Sequence, residues 1–469
     1  MIRKTKIIAT LGPATESVER VCELLEAGAG IVRMNMTHAR ADWVRDVVGR
    51  VREASLLVNR PVAILMDLTG PSIRTGKLDE PIDLEPGDQI EITLGDASST
   101  MHRSTSVNYP GLGEDLSVGD MVLVDNGVIH LKVQSKDEER LLCEVMAGGQ
   151  LGSRRHINLP GIRVSLPALS EKDFLDIKLA GEVGVDFVAM SFVRDAAHIE
   201  ELRGLLESED CHAEIIAKIE DQEAVKNLDQ IVIASDAVMV ARGDLGIEVH
   251  MEEMPIVQRI IVKRCHALGK KVIVATHLLE SMIDNPVPTR AEVTDVANAV
   301  FEQADALMLS GETSIGAHPG ACVRALDKIA RRIETSGGAG YSEAARLDTR
   351  KKKSVRSAVS LAESITNSSI VVFTDRGVLG NYVAIMRPER APIFAFTADE
   401  KVYRKLLMNR AVEPFLMEIS EPRALLVEKA TAILRETQMV EAGDPIVVLI
   451  DVLAERDQGA VDSIHLQTV

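Results

Sequence analysis

EIIAKIEDQEAVKNLDQIVIASDAVMVARGD, residues 214–244, holds two apolar runs of strand length, 214–220 and 237–244, separated by a helix-like stretch. Each run closes on charge, Lys218 and Glu220 in the first and Arg242 and Asp244 in the second. Near-continuous apolar runs of this length read as strands buried on both faces, as in parallel sheets covered by helices. The same unit recurs in both directions along the chain. Runs at 6–12, 30–37, 62–68 and 187–192 precede it, and runs at 271–277 and 306–312 follow it, each with an amphipathic helical segment after it. Eight β/α units predict a (β/α)8 TIM barrel.

The third and fourth runs are separated by more than a crossover helix requires. "EPGDQIEITL" (85–94) and "SVGDMVLVDNGVIHLKV" (117–133) alternate apolar and polar residues after Gly-Asp turns, which predicts an inserted all-β domain over 71–168. After the eighth unit, "TSGGAG" (335–340) and "KKK" (351–353) lead into a third, α/β domain over 341–469. Strands are expected there at 369–374, 391–397 and 445–452, with a helix at 354–365. The barrel is thus composed of 1–70 and 169–340.

Composition narrows the function. With 46% hydrophobic and 26% charged residues, the 469-residue chain is an ordinary globular one. A net charge of −18 and 3% aromatic residues argue against nucleic acid as a partner. Cys22, Cys143, Cys211, Cys265 and Cys322 lie far apart without a C-x-x-C spacing, which predicts reduced thiols. Without a signal-like N-terminus or an apolar stretch of about 18 residues, the expected setting is cytoplasmic, with no membrane partner.

In such barrels the chemistry sits at the C-terminal ends of the strands. Here those ends carry Arg33, Asn35 and Thr37, then Lys218 and Glu220, Arg242 and Asp244, and Ser310 and Glu312, at i, i+2 spacing that points to one side of a strand. Glu220 and Asp244, from adjacent strands, offer two hard oxygens for Mg²⁺ or Mn²⁺. Lys218 with Arg33 and Arg74 forms a positive pocket for a small phosphate- and carboxylate-bearing substrate, and phosphoryl transfer is the chemistry such a pocket suits. "ARGDLG" (241–246) is a candidate helix start whose backbone, with Gly243, approaches an anion. Neither G-x-x-x-x-G-K-[ST] nor G-x-G-x-x-G occurs, so a nucleotide must be held another way. Thr289 and Glu292 form a capping box, while His212 and His266 read as ordinary surface or helix residues.

In order, "TKIIATLGPA", "RMNMTHA", "GPSIRTG", "NLPG", "LPALSEKD", "SFVR", "AKIE", "VMVARGDLGIE", "ATHLLESM", "PTRAEVTDVANAV" and "MLSGET" resemble the pyruvate kinase family over nearly the whole chain. The resemblance implies a barrel with a β-rich lid and a C-terminal α/β domain. It also implies phosphoryl transfer from phosphoenolpyruvate to ADP, giving pyruvate and ATP, with a homotetramer as the family's habit. By motif, Glu220 and Asp244 hold the divalent ion and Lys218 balances the charge of the moving phosphoryl group. Arg33 contacts substrate phosphate, and Thr276 with the Gly243 and Asp244 backbone positions the carboxylate. Asn35, Thr37, Asp67 and the Leu68 carbonyl match a K⁺ site. Asn35, His38, Arg60 and Arg155 match the nucleotide side, and Arg74, Ser310 and Glu312 complete the pocket, the last two near the proton-delivery route.

The chain also departs from the family's pattern. The stretch Asp67-Leu68-Thr69-Gly70-Pro71-Ser72-Ile73-Arg74 lacks the usual lysine and glutamate, and Ser72 occupies the position tied to K⁺ dependence. A K⁺ site is still expected, since three side-chain oxygens remain at Asn35, Thr37 and Asp67. Thr37, Arg155, His277 and Asn126 are further substitutions. Residues 374–380 lack the hydroxyls that hold a sugar phosphate, so no response to fructose 1,6-bisphosphate is expected. Two alternatives share the metal carboxylates: a metal-dependent lyase or aldolase acting on pyruvate enolates, and a non-catalytic phosphoenolpyruvate-binding paralogue.

Overall fold

All eight runs become parallel strands that pair in chain order, and the first closes on the eighth through Lys6↔Ala306 and Ile8↔Met308. The side chains explain the closure. Ile8, Ile31, Leu65, Phe187, Ile216, Met239 and Ile273 fill the barrel interior, while their neighbours Ile7, Val32, Ile64, Val188, Ile215, Val238 and Val272 pack under the helices. Alternate residues of every strand are therefore buried on opposite faces, which requires apolar residues at both parities.

This computed structural model describes residues 2–419, 422–450 and 464–469. The barrel strands are Lys6–Thr10, Ile31–Asn35, Ala63–Asp67, Phe187–Met190, Glu214–Ile219, Ala237–Ala241, Lys271–Ala275 and Ala306–Leu309. They stop one to three residues before the apolar runs do, and this corrects part of the strand-end argument. Arg242 and Asp244 lie in the helix Arg242–Glu248, and Glu312 in the short helix Gly311–Ser314, so these pairs do not share a strand face. Backbone N–H groups beyond the last ladder bond turn into helix instead of continuing the strand.

Between the third and fourth barrel strands lies a β-rich insertion. It has a six-stranded sheet, a two-stranded sheet of Ile82–Leu84 with Gly149–Leu151, and one short helix, Leu112–Asp115. Its own core includes Ile90, Ile92, Val122, Leu131, Leu141 and Val145. The chain returns to the barrel through Ser170, which caps the helix Glu171–Val183 reciprocally with Asp173. Asp173 also accepts from Gly70 N at 3.2 Å, tying the outgoing linker to the returning one.

The C-terminal sheet has five strands in the order Val412–Leu416, Ile393–Thr397, Ser369–Phe373, Pro445–Ile450 and Ile464–Thr468, the last antiparallel. Residues 451 and 452 of the expected strand 445–452 lie outside the described residues. The expected helix at 354–365 begins earlier, at Arg350, because Thr349 caps it by accepting from Lys352 N at 3.1 Å. This sheet unit is anchored to the lower barrel face by Arg387, whose guanidinium grips both oxygens of Asp305 with neither side chain exposed.

Thr289 and Glu292 form the expected capping box. His266 is a helix residue, buried near the end of the helix Met254–Leu268, where burial beside Arg387 and Arg410 pushes its pKa well down. All five cysteines are free thiols. No helix among the described residues is long and apolar enough to cross a membrane.

Candidate active site

At the mouth of the barrel, adjacent strands put opposite charges side by side. Arg33 Nε donates to Asp67 Oδ2 at 2.7 Å, and its Nη1 donates to Thr10 Oγ1 at 3.0 Å. Lys218 Nζ lies 2.7 Å from Ser191 Oγ, 2.8 Å from Glu220 Oε1 and 3.4 Å from Asp67 Oδ1. Burial alone would depress Lys218, but Asp67, Glu220 and Asp244 outweigh it and raise its pKa, so the ammonium stays charged. Asp67 is held low by Lys218 and Arg33 against its own burial. Glu220 is pushed up to about 7 by burial and by Asp244, against the pull of Lys218.

These groups line a cavity of about 350 Å³ together with Asn35, Thr37, Leu68, Thr69, Ser72 and Asp244. The Glu220 carboxylate accepts from Phe192 N at 2.6 Å through Oε2, while its Oε1 is paired with Lys218. A buried carboxylate that lines the cavity beside Asp244 offers hard oxygens that fit a divalent cation. Among the described residues no group of three or more His, Cys, Asp or Glu side chains is placed to hold a metal. Two carboxylates alone suit an ion whose other positions are taken by substrate and water, as is usual for Mg²⁺.

The insertion closes the cavity from above with Arg74, Asp125, Asn126, Arg154, Arg155 and His156. Arg74 Nε donates to Ser72 Oγ at 3.1 Å, and Arg155 Nη1 lies 3.4 Å from Asp125 Oδ1. His156 packs on Phe192 with ring centroids 5.9 Å apart.

Beside this cavity a second groove of about 600 Å³ shares Arg33 and Asn35 with it and adds Pro13, His38, Arg40, Trp43, Thr276 and Ser310. Trp43 is the chain's one tryptophan. Its Nε1 donates to Glu16 Oε2 at 2.6 Å, which leaves the ring edge fixed along the groove.

Three expected site residues sit differently from expectation. Arg60 precedes the third strand, so it opens on the opposite end of the barrel, where Nη1 donates to the Leu25 carbonyl at 3.1 Å. Glu312 is buried, with both oxygens taken by backbone, from Leu279 N at 3.1 Å and from Ser310 N at 2.7 Å. It supports Ser310, whose buried Oγ has no partner, and does not itself line the groove. The Gly243 amide, expected to face substrate, donates to Thr276 Oγ1 at 2.7 Å. The Leu68 carbonyl accepts from Ser191 Oγ at 2.8 Å. Ser191, Arg154, His156 and Trp43 were not singled out from the sequence. Ser191 and Trp43 are the recoverable ones, since "SFVR" closes a strand and a tryptophan opening a barrel helix is a ready platform.

Residues 2–323 match the family described as pyruvate kinase, barrel domain, and residues 352–466 match pyruvate kinase, alpha/beta domain. The chain belongs to the pyruvate kinase family. Similar curated proteins include the pyruvate kinase of Geobacillus stearothermophilus, 40% identical over 96% of this chain and 77% of that protein. The pyruvate kinase of Mycobacterium intracellulare is 39% identical over 100% of this chain and 99% of its own length. Plastidial pyruvate kinase 2 of Arabidopsis thaliana is 40% identical over 95% and 78% respectively. Pyruvate kinases are generally dependent on Mg²⁺ and K⁺.

Proposed function

We propose that the protein transfers the phosphoryl group of phosphoenolpyruvate to ADP, giving pyruvate and ATP. The observation that carries this reading is the buried, charged Lys218, held between Asp67 and Glu220 at the wall of a cavity that Glu220 and Asp244 also line and that Arg74, Arg154 and Arg155 roof. Phosphoryl transfer needs alignment and charge neutralisation more than a covalent nucleophile. Lys218 and Arg33 draw the phosphoryl oxygens, the bond from phosphorus to the enol oxygen breaks, and one to the terminal oxygen of ADP forms. The enolate then takes a proton at its methylene carbon on the side of Thr276 and Ser310. A divalent ion held by Glu220 and Asp244 would supply Lewis-acid neutralisation of the phosphoryl charge.

The groove along Pro13, His38 and Trp43 is the natural bed for the nucleoside, because the indole gives a flat apolar face next to Arg33. Arg60 has no part in it. An enolate lyase would leave both this groove and the arginine-lined lid without work. A binding paralogue would use Lys218 and Arg33 for phosphate but would leave the groove beside them without a nucleotide. The test is ADP titration of the tryptophan emission, which reports position 43 alone. Saturable quenching is expected, with the ADP KM raised about tenfold in Trp43→Ala. Pyruvate formation that is indifferent to ADP would move the reading to a lyase.

The units 1–70 with 169–340, 71–168 and 341–469 are the divisions we propose, and the separate apolar cores of barrel, insertion and C-terminal sheet support them. A homotetramer is the proposed assembly. In its favour, Ile256 and Ile260 on one barrel helix and Val293 and Phe301 on the next expose large apolar side chains. The proposed setting is the cytoplasm.

A further inference from the structure

Arg242 is a charged residue just past the end of the sixth barrel strand, yet its side chain does not line the cavity. It reaches instead from the start of the helix Arg242–Glu248 to the loop after the seventh barrel strand. There its Nε lies 3.3 Å from the Ala275 carbonyl and 3.1 Å from that of Thr276, and Nη2 lies 2.6 Å from Thr276 O and 3.2 Å from His277 O. Nη1 is anchored by Asp295 at 2.8 Å, with Gln258 at 3.4 Å. The side chain is 9% exposed.

What it holds is strained. Thr276 has φ 66° and His277 φ 52°, two successive non-glycine residues in the left-handed region, one of them β-branched. A β-branched residue there is an outlier that persists only where its surroundings over-determine it. Three consecutive carbonyls facing one side need several donors at once, and the planar guanidinium, with five N–H groups, supplies them where an ammonium does not. The strained turn carries the Thr276 hydroxyl, which accepts from Gly243 N and donates to Ala275 O at 2.6 Å.

We propose that Arg242 is a positioning residue for the transfer reaction: it clamps the backbone of Ala275, Thr276 and His277 and so fixes Thr276 in the wall of the groove that adjoins the cavity at Arg33 and Asn35. This rests on the reading of Thr276 as a contact of phosphoenolpyruvate. Arg242→Ala is expected to lower kcat/KM for phosphoenolpyruvate about a hundredfold, as a misplacement of about 1 Å does. The KM for phosphoenolpyruvate rises while that for ADP stays put. Millimolar guanidinium restores part of the loss in Arg242→Ala and does nothing for the wild type, and Arg242→Lys remains impaired. In a His277→Gly background, where the left-handed turn is less strained, Arg242→Ala costs less than in the parent.

A merely structural role would scale kcat with the folded fraction, leave both KM values alone and show no coupling to position 277; that pattern overturns the proposal. Should Arg242→Ala not fold, Arg242→Lys decides through the same KM comparison. A wild type without ADP-dependent turnover would defeat the functional reading and this inference with it. An active wild type beside an unaffected Arg242 variant would defeat the inference alone.

Discussion

Serine at position 72 leaves the cavity floor one carboxylate poorer than the family's pattern, and its hydroxyl accepts from Arg74. Close by in sequence, Thr69 Oγ1 is buried without a hydrogen bond, while Asp67 Oδ1 lies 3.4 Å from Lys218 Nζ. Asn35 and Thr37 line the same wall. The oxygens of Asn35, Thr37 and Asp67 expected to hold K⁺ do not depend on residue 72, so we propose that a K⁺ site is kept despite Ser72. Replacing K⁺ by tetramethylammonium at constant ionic strength should lower kcat on the order of tenfold; a rate independent of K⁺ would show that Lys218 and Arg33 suffice. Lys218 and Glu220 were legible in the sequence because one ends a strand and the other follows it, where barrels place their chemistry. Asp244 was reached by a faulty route, since it belongs to a helix turn. Arg60 could have been set aside by position, because a residue that precedes a barrel strand opens on the wrong end.

Between lid and barrel, the helix Arg242–Glu248 ends on Glu248, whose Oε1 accepts from Asn158 Nδ2 of the returning lid strand at 3.3 Å. Burial, then Asp221 and Asp244, push Glu248 up to about 7 against the pull of Asn158. A carboxyl whose folded pKa exceeds its unfolded value contributes stability while protonated, and loses it as pH rises from the unfolded value through 7. Above pH 7 the seam therefore contains a costly buried charge. Glu248→Gln, neutral and nearly isosteric, should be more stable than wild type at pH 8 by about 1–3 kcal/mol. The advantage should vanish by pH 5 in thermal melts at the two pH values. An equal difference at both would show that the charge is solvated. The eight barrel strands were readable because apolar runs buried on both faces admit few other folds. The strands Val412–Leu416 and Ile464–Thr468 were not, since Glu413, Pro414, His465 and Gln467 interrupt them and only their sheet neighbours define them.

Across the whole molecule, the C-terminal unit meets the barrel through ions. Arg387 and Asp305 are fully buried against each other, and Arg404 Nε lies 2.7 Å from Asp186 Oδ1. Removing one member of such a pair leaves the other charge stranded, so Asp305→Ala should cost about 3–5 kcal/mol in denaturant unfolding. A loss below about 1 kcal/mol would mean that water enters the seam. Nothing in the sequence reveals this pairing, because Asp305 and Arg387 are brought together by the docking of two units that each fold around separate cores.

The most direct test of the account is pyruvate formation from phosphoenolpyruvate with Mg²⁺, with and without ADP, by the wild type and by Lys218→Met. Turnover is expected to require ADP and to fall at least about a hundredfold in the variant, with its thermal unfolding still cooperative. Turnover without ADP, or a Lys218→Met variant as fast as the wild type, would contradict it.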